Sequence, residues 1–143
     1  MSIRQLSVFV ENEAGKLQEI TDCLYANNID IRALSVAETQ DFGIFRLIVD
    51  DIDKAVSALK EEGHIVKITD VIGCKLEDRP GGLARIVKVI SAIGVNMEYM
   101  YAFLGGKTGG AYMVFKVADQ DKAIAALYKY RIRMVDQEEL GEL

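Results

Sequence analysis

The chain has 143 residues, half of them hydrophobic and 27% charged, with a formal net charge of −5. That much apolar chemistry supports a packed core and argues against disorder, while the acidic balance argues against a polyanionic partner, so neither nucleic acid nor an anionic membrane is expected. No stretch approaches the roughly 18 consecutive apolar residues of a membrane span, the alternating start from Met1 to Val10 has no secretory h-region, and a soluble cytoplasmic protein with reduced thiols is expected.

Length alone fits one medium domain or two very small ones. In chain order, Leu6, Val8 and Val10 alternate as a half-buried strand does. Leu17, Ile20 and Leu24 then recur on one face of a helix, which Asn27-Asn28 ends, and Ile29 to Glu38 returns to extended chemistry. Gln40 to Gly43 reads as a turn, followed by Phe45, Leu47 and Val49 on one face of a third strand. A second helix puts Ile52, Ala55, Val56 and Leu59 on one stripe and stops at Gly63, and His64 to Ile68 makes a last strand.

The same order then recurs. Ile72, Cys74 and Leu76 alternate; Leu83, Ile86 and Ile90 make a helical face; Val95 to Leu104 is extended; Met113, Phe115 and Val117 alternate; Ala123, Ile124 and Leu127 form a stripe; Ile132 to Val135 closes the series. Gly73 is the one breaker between the two halves, and Glu138-Glu139 reads as a solvated tail. Laid over each other, Gly15-Lys16-Leu17 meets Gly81-Gly82-Leu83 at an offset of 66, and Asp30 meets Asn96. Asp51 to Leu59 meets Asp119 to Leu127 at an offset of 68, the two extra residues falling around Gly105 to Gly110.

The chain is therefore expected to be α+β: two tandem ferredoxin-like βαββαβ modules, residues 1–70 and 71–143, each an antiparallel sheet with its helices on one face. A module of this size buries only roughly 60% of its unfolded surface, so association between copies or chains is expected. The sheet face away from the helices carries Ile44, Ile48, Tyr112 and Val114 beside Arg46 and Lys116. Such a mixed face reads either as ordinary surface apolars or as a face that a partner covers.

The loop leaving the first strand of each copy carries the most specific chemistry. Copy one has Glu11-Asn12-Glu13-Ala14-Gly15-Lys16-Leu17, and copy two has Glu77-Asp78-Arg79-Pro80-Gly81-Gly82-Leu83. A glycine there allows a sharp turn and close approach of a ligand to the main chain, and the helix start offers unpaired N–H groups to a carboxylate. Asp78 or Asn12 can accept from an ammonium group, with Asn96 and Asp30, just after the helix, expected at the same end of the sheet as a second acceptor. The structural alternative is that Asp78 and Asn12 cap the helix and that Pro80 occupies its first position.

Glu77-Asp78-Arg79-Pro80-Gly81-Gly82-Leu83 followed by Gly94-Val95-Asn96-Met97 resembles the ACT domain, in particular the regulatory module of phosphoglycerate dehydrogenases. The resemblance covers all of copy two and, more weakly, copy one, where Arg-Pro becomes Glu13-Ala14. It implies modules paired side by side into a homo-oligomer, a dimer in the simplest case. It also implies a free amino acid or related small metabolite bound at module interfaces, and a metabolic enzyme as the regulated partner. The ligand-contacting asparagines of that module fall on Asp78 and Asn96, and in copy one on Asn12 and Asp30. The surrounding loop residues Ala14, Gly15, Lys16, Leu17, Arg79, Pro80, Gly81, Gly82, Leu83 and Met97 complete the candidate ligand-binding set.

Catalysis has no such support. His64 is the single histidine and opens a strand, and Cys23 and Cys74 sit at core spacings as small buried hydrophobes. Gly106-Lys107-Thr108 lacks the preceding glycine and the following helix of a P-loop, and clustered metal ligands are missing. Neither cofactor nor metal is expected. The leading expectation is an amino-acid-binding regulatory protein, and the alternative is an interaction subunit that keeps the fold and binds no ligand.

Overall fold

The computed structural model describes residues 2–11, 13–38, 41–104 and 110–142. The elements run β1 (Ile3–Glu11), α1 (Lys16–Ala26), β2 (Ile31–Glu38), β3 (Phe42–Val49), α2 (Ile52–Glu61), β4 (Ile65–Leu76), α3 (Gly82–Ala92), β5 (Met97–Leu104), β6 (Ala111–Val117), α4 (Gln120–Lys129), β7 (Met134–Val135) and α5 (Gln137–Glu142). They fall into two compact units, Arg4–Thr69 and Met1–Ile3 with Asp70–Leu143.

In the first unit β3 lies antiparallel between β1 and β2, with Leu6 opposite Leu47 and Val8 opposite Phe45. Side chains alternate across a strand, so Leu6, Val8 and Val10 share a face with Phe45, Leu47 and Val49. That face meets Ile20, Cys23 and Leu24 of α1 and Ile52, Ala55 and Leu59 of α2 in one buried cluster. Period two on the strands and period 3.6 on the helices thus converge on one core.

The second unit repeats the scheme. β6 lies between β4 and β5, with Ile72 opposite Phe115, and β7 pairs β4 through Val135 opposite Gly73. Ile72, Cys74, Phe115 and Val117 pack with Ile86, Val89 and Ile90 of α3 and Ala123, Ala126 and Leu127 of α4. The stacked rings of Phe103 and Tyr112, 5.2 Å apart between centroids, join the β5–β6 pair on its other face.

Several expectations change. β4 is a single strand of 12 residues that runs through Gly73. The glycine does not break it because the packing there needs the missing side chain: a Cβ would collide with Ile3 and with Val135 Cγ2. The last strand of the second unit shrinks to Met134–Val135, although Lys75 N–H still donates to Arg133 C=O at 2.8 Å. The presumed tail is a short helix, α5: the Asp136 carboxylate accepts from the Glu139 N–H at 2.8 Å, and Leu140 is 1% exposed.

The face away from the helices is mixed in burial as well as in composition. Ile48, Tyr112 and Val114 are buried within the single chain, while Ile44, Arg46 and Lys116 are half-buried. β1 places two buried polar side chains on that face, Gln5 and Ser7, and Gln5 Nε2 donates to Ser7 Oγ at 3.2 Å. The turn expected over Gln40 to Gly43 is shorter than that, since Phe42 and Gly43 already belong to β3, opposite Glu11 and Glu38. Gln40, and residues 105–109 of the turn expected around Gly105 to Gly110, fall outside the described residues.

Candidate functional site

The two loops after β1 and β4 are built alike, bond for bond. In the first, Glu13 N–H donates to Glu11 C=O, Lys16 N–H to Glu13 C=O and Glu19 N–H to Gly15 C=O. In the second, Arg79 donates to Glu77, Gly82 to Arg79 and Arg85 to Gly81. Each acceptor and donor is displaced by 66 residues. The helix caps are Gly15 and Gly81, at φ of 89° and 88°, a left-handed conformation that glycine adopts without a steric penalty.

That geometry overturns the capping alternative for the second loop. Gly81 is the cap of α3 and no side chain bonds to the helix start, so Asp78, three residues earlier, is not a cap. Pro80 precedes the cap and does not open the helix, because the left-handed glycine stands between them. The Asp78 carboxylate is exposed and has no hydrogen bond or ion pair among the described residues. Arg79 is tied to Glu77 at 2.6 Å in an exposed pair, which contributes little to stability. Gly82 has no room for a side chain, since a Cβ would run into the Glu77 carbonyl. Leu83 is partly exposed at 40%. Asn12 lies outside the described residues.

Beside the first loop is a cavity of about 170 Å³ lined by Gly15, Lys16 and Leu17 together with Glu11, Glu13, Val36, Glu38, Gly43 and Phe45. Ala14 sits in the adjoining turn, exposed. The last four lining residues come from the end of β2 and the start of β3. They were invisible to motif reading because only the β1–β3 and β2–β3 register brings them there, with Glu11 opposite Phe42 and Glu38 opposite Gly43.

The expected second acceptors are at the other end. Ile31 is opposite Val49, six positions along β3 from the Glu38–Gly43 pair, and at about 3.4 Å per residue this sets Asp30 roughly 20 Å from the loop of its own module. Asn96 stands likewise, next to Met97 opposite Val117, while Leu76 at the loop end is opposite Ala111. α1 and α3 each carry the chain the length of the sheet before these residues arrive. The Asp30 carboxylate is paired with Arg32 at 3.0 Å, and its N–H donates to the Asp50 carboxylate at 3.0 Å. It borders a separate hollow of about 420 Å³ with Tyr25, Asn28, Ile29 and Asp50. Asn96 is exposed and Met97 packs on the second core.

Nucleophilic chemistry is disfavoured by the thiols' surroundings. Burial pushes the Cys74 thiol up to about 12, and burial together with the charge of Glu62 raises that of Cys23, so both are protonated and shielded near neutral pH. Among the described residues no group of three or more His, Cys, Asp or Glu is placed to hold a metal, and no helix is long and apolar enough to cross a membrane.

Two βαββαβ modules, each an antiparallel sheet with its helices on one face and a matching strand–helix loop, define a tandem ferredoxin-like α+β fold. The chain belongs to the ACT domain pair family, whose model matches residues 1–143. Among solved structures it is similar to protein BT0572 from Bacteroides thetaiotaomicron, at 41% identity and a TM-score of 0.91, with 100% of this chain and 98% of that one covered. It is also similar in fold to the ligand-free regulatory subunit of aspartate kinase from Thermus thermophilus, at 14% identity, 88% and 91% coverage and a TM-score of 0.60. The corresponding subunit from Thermus flavus gives 15%, 87% and 88%, and 0.57. No curated protein matches the chain.

Proposed function

We propose that this chain is a non-catalytic regulatory protein that senses a free amino acid or a closely related metabolite through its strand–helix loops. The observation that carries the reading is the repetition of one loop backbone, with its left-handed glycine and open helix start, in both modules. A helix start offers N–H groups to the ligand carboxylate, and the unpaired Asp78 carboxylate offers an acceptor to its ammonium group. The likeness of Glu77–Leu83 and Gly94–Met97 to the phosphoglycerate dehydrogenase regulatory module supports Asp78 and Asn96 as the contacts in the second module, with Asn12 and Asp30 their counterparts in the first.

Because Asp78 and Asn96 stand at opposite ends of one sheet, a single ligand meets both only where the loop of one chain faces the post-helix residue of a second. A homodimer is therefore part of the proposal, as is a cytoplasmic metabolic enzyme as the regulated partner, in keeping with the aspartate kinase subunits that share the fold. Ligand occupancy shifts the assembly by its differential affinity for the paired state.

A thermal-shift screen against the twenty amino acids tests this. A ligand at about 100 times its dissociation constant adds roughly 2.7 kcal/mol, several degrees for a chain of this size. The shift is expected with one or a few amino acids and is expected to vanish in Asp78→Ala and Asn96→Ala. A flat screen would favour a second reading, an interaction subunit that binds no ligand. The ion pair that already occupies Asp30 favours that reading for the first module.

A further inference from the structure

We propose that the second module carries, on the α4 side of its loop, a site for a small dianion with forked oxygens, a phosphomonoester or a dicarboxylate. A cavity of about 210 Å³ lies between the end of β4, the start of α3 and the turn after α4, and Lys75, Arg85, Arg131 and Arg133 all line it. The one carboxylate in the lining is Glu77, and it is already engaged by Arg79 at 2.6 Å. Arg85 Nη2 donates to the Tyr130 carbonyl at 2.9 Å, which fixes one guanidinium against the turn. Arg133 is braced by Glu139 of α5 at 2.6 Å. Lys75 and Arg131 have no side-chain partner among the described residues.

The internal repeat supplies the control. The first module has the equivalent hollow, about 160 Å³, but the residues matching Lys75, Arg85, Arg131 and Arg133 are Phe9, Glu19, Gly63 and Ile65. The one Lys or Arg lining the first hollow is Lys16, which matches Gly82 and pairs with Glu19 at 3.7 Å, so the scaffold does not require a cluster of four cations there. Arg131 is the most telling of the four. It follows the α4 cap at φ 56°, and its repeat counterpart Gly63 takes φ 86°, the conformation for which glycine is the ordinary choice. Elsewhere among the described residues only Asn28, a residue type that tolerates it, carries a side chain at positive φ. An arginine held in that strained turn, lining one cavity with Arg85 and Arg133, is explained by a bound anion, for which the planar fork is suited.

The charge distribution agrees. Residues 1–69 carry seven Lys and Arg against twelve Asp and Glu, and residues 70–143 carry ten against ten, so the excess of −5 belongs to the part of the chain before the division at Thr69 and Asp70. The second module can gather cations on one side without the field of a uniformly acidic protein opposing an anion.

The test is amide-resolved NMR of the full chain at low ionic strength, titrated separately with inorganic phosphate and with succinate, with sodium chloride as the ionic-strength control. Saturable shifts are expected at Arg85 and at residues 131–133 with one or both anions, and which anion acts tells phosphate from carboxylate recognition. Arg131→Gly restores the residue used by the first module, so it is expected to fold at least as well as the parent while weakening binding about tenfold or more. Arg85→Gln is expected to weaken it similarly. Absence of saturable shifts, or binding unchanged in both variants, overturns the proposal. Asp78→Ala leaves this cavity intact, so failure of the amino-acid reading and failure of the anion site are read separately.

Discussion

Asp51 and Asp119 perform the same task 68 residues apart. Each caps a helix, accepting on its carboxylate the backbone N–H three positions on, from Lys54 and from Lys122, in both cases at 3.1 Å. Their backbones agree as well, at φ −129° and −123°. The repeat therefore extends from sequence to the individual hydrogen bond.

Removing either cap leaves a helix N–H without its partner. Asp51→Ala and Asp119→Ala are each expected to lower stability by about 1 kcal/mol, the usual worth of such a cap, as measured by urea unfolding.

The glycine pair at the second loop predicts an order. Gly81→Ala forces a side chain into φ 88° but meets open space, so a loss of about 1 kcal/mol is expected from backbone strain alone. Gly82→Ala drives its Cβ into the Glu77 backbone carbonyl, which cannot rotate away as a side chain would, so it is expected to lose more. Equal losses in denaturant melts would contradict this geometry.

Alkaline stability should follow Cys74. Its folded thiol titrates near 12 and its unfolded thiol near 9.0, so the unfolded chain releases the proton first as pH rises. The contribution is complete below pH 9 and falls by about 1.4 kcal/mol per pH unit between the two values. Melts at successive pH values are expected to show a downward slope above pH 9 that is shallower in Cys74→Ala, once the latter's lower baseline is subtracted. The native thiol is likewise expected to resist alkylation until the chain unfolds.

The C-terminal helix is part of the packed structure, and Leu140 tests it. This side chain is 1% exposed, and Leu140→Ala is expected to cost about 2–4 kcal/mol, the range for truncating a buried leucine. A solvated tail would show almost no change in the same melt.

Much of the fold is legible because periodicity is a local signal. Leu6, Val8 and Val10 had to share a face whatever their partners, and so did Ile52, Ala55 and Leu59. Asp30 and Asn96 mark where local reading stops. An 11-residue helix moves the chain about 16 Å, so residues just after α1 and α3 arrive at the far end of the sheet. Element order contains that fact, but matching a motif to two acceptors overlooks it. Val36, Glu38 and Phe45 enter the loop cavity only through strand register, which no single segment encodes. α5 was hidden by its composition, since one leucine among acidic residues shows no periodic face.

Strand β4 has a consequence for the gene as well as for the protein. Thr69 and Asp70, on either side of the division between the two compact units, are consecutive residues inside one unbroken strand. A protease finds no loop there to enter, and a split gene with its break at this point would give each product half of a β-strand. Fragments made for expression are better cut with overlap, each keeping the whole of Ile65–Leu76, than divided at the midpoint that the repeat suggests.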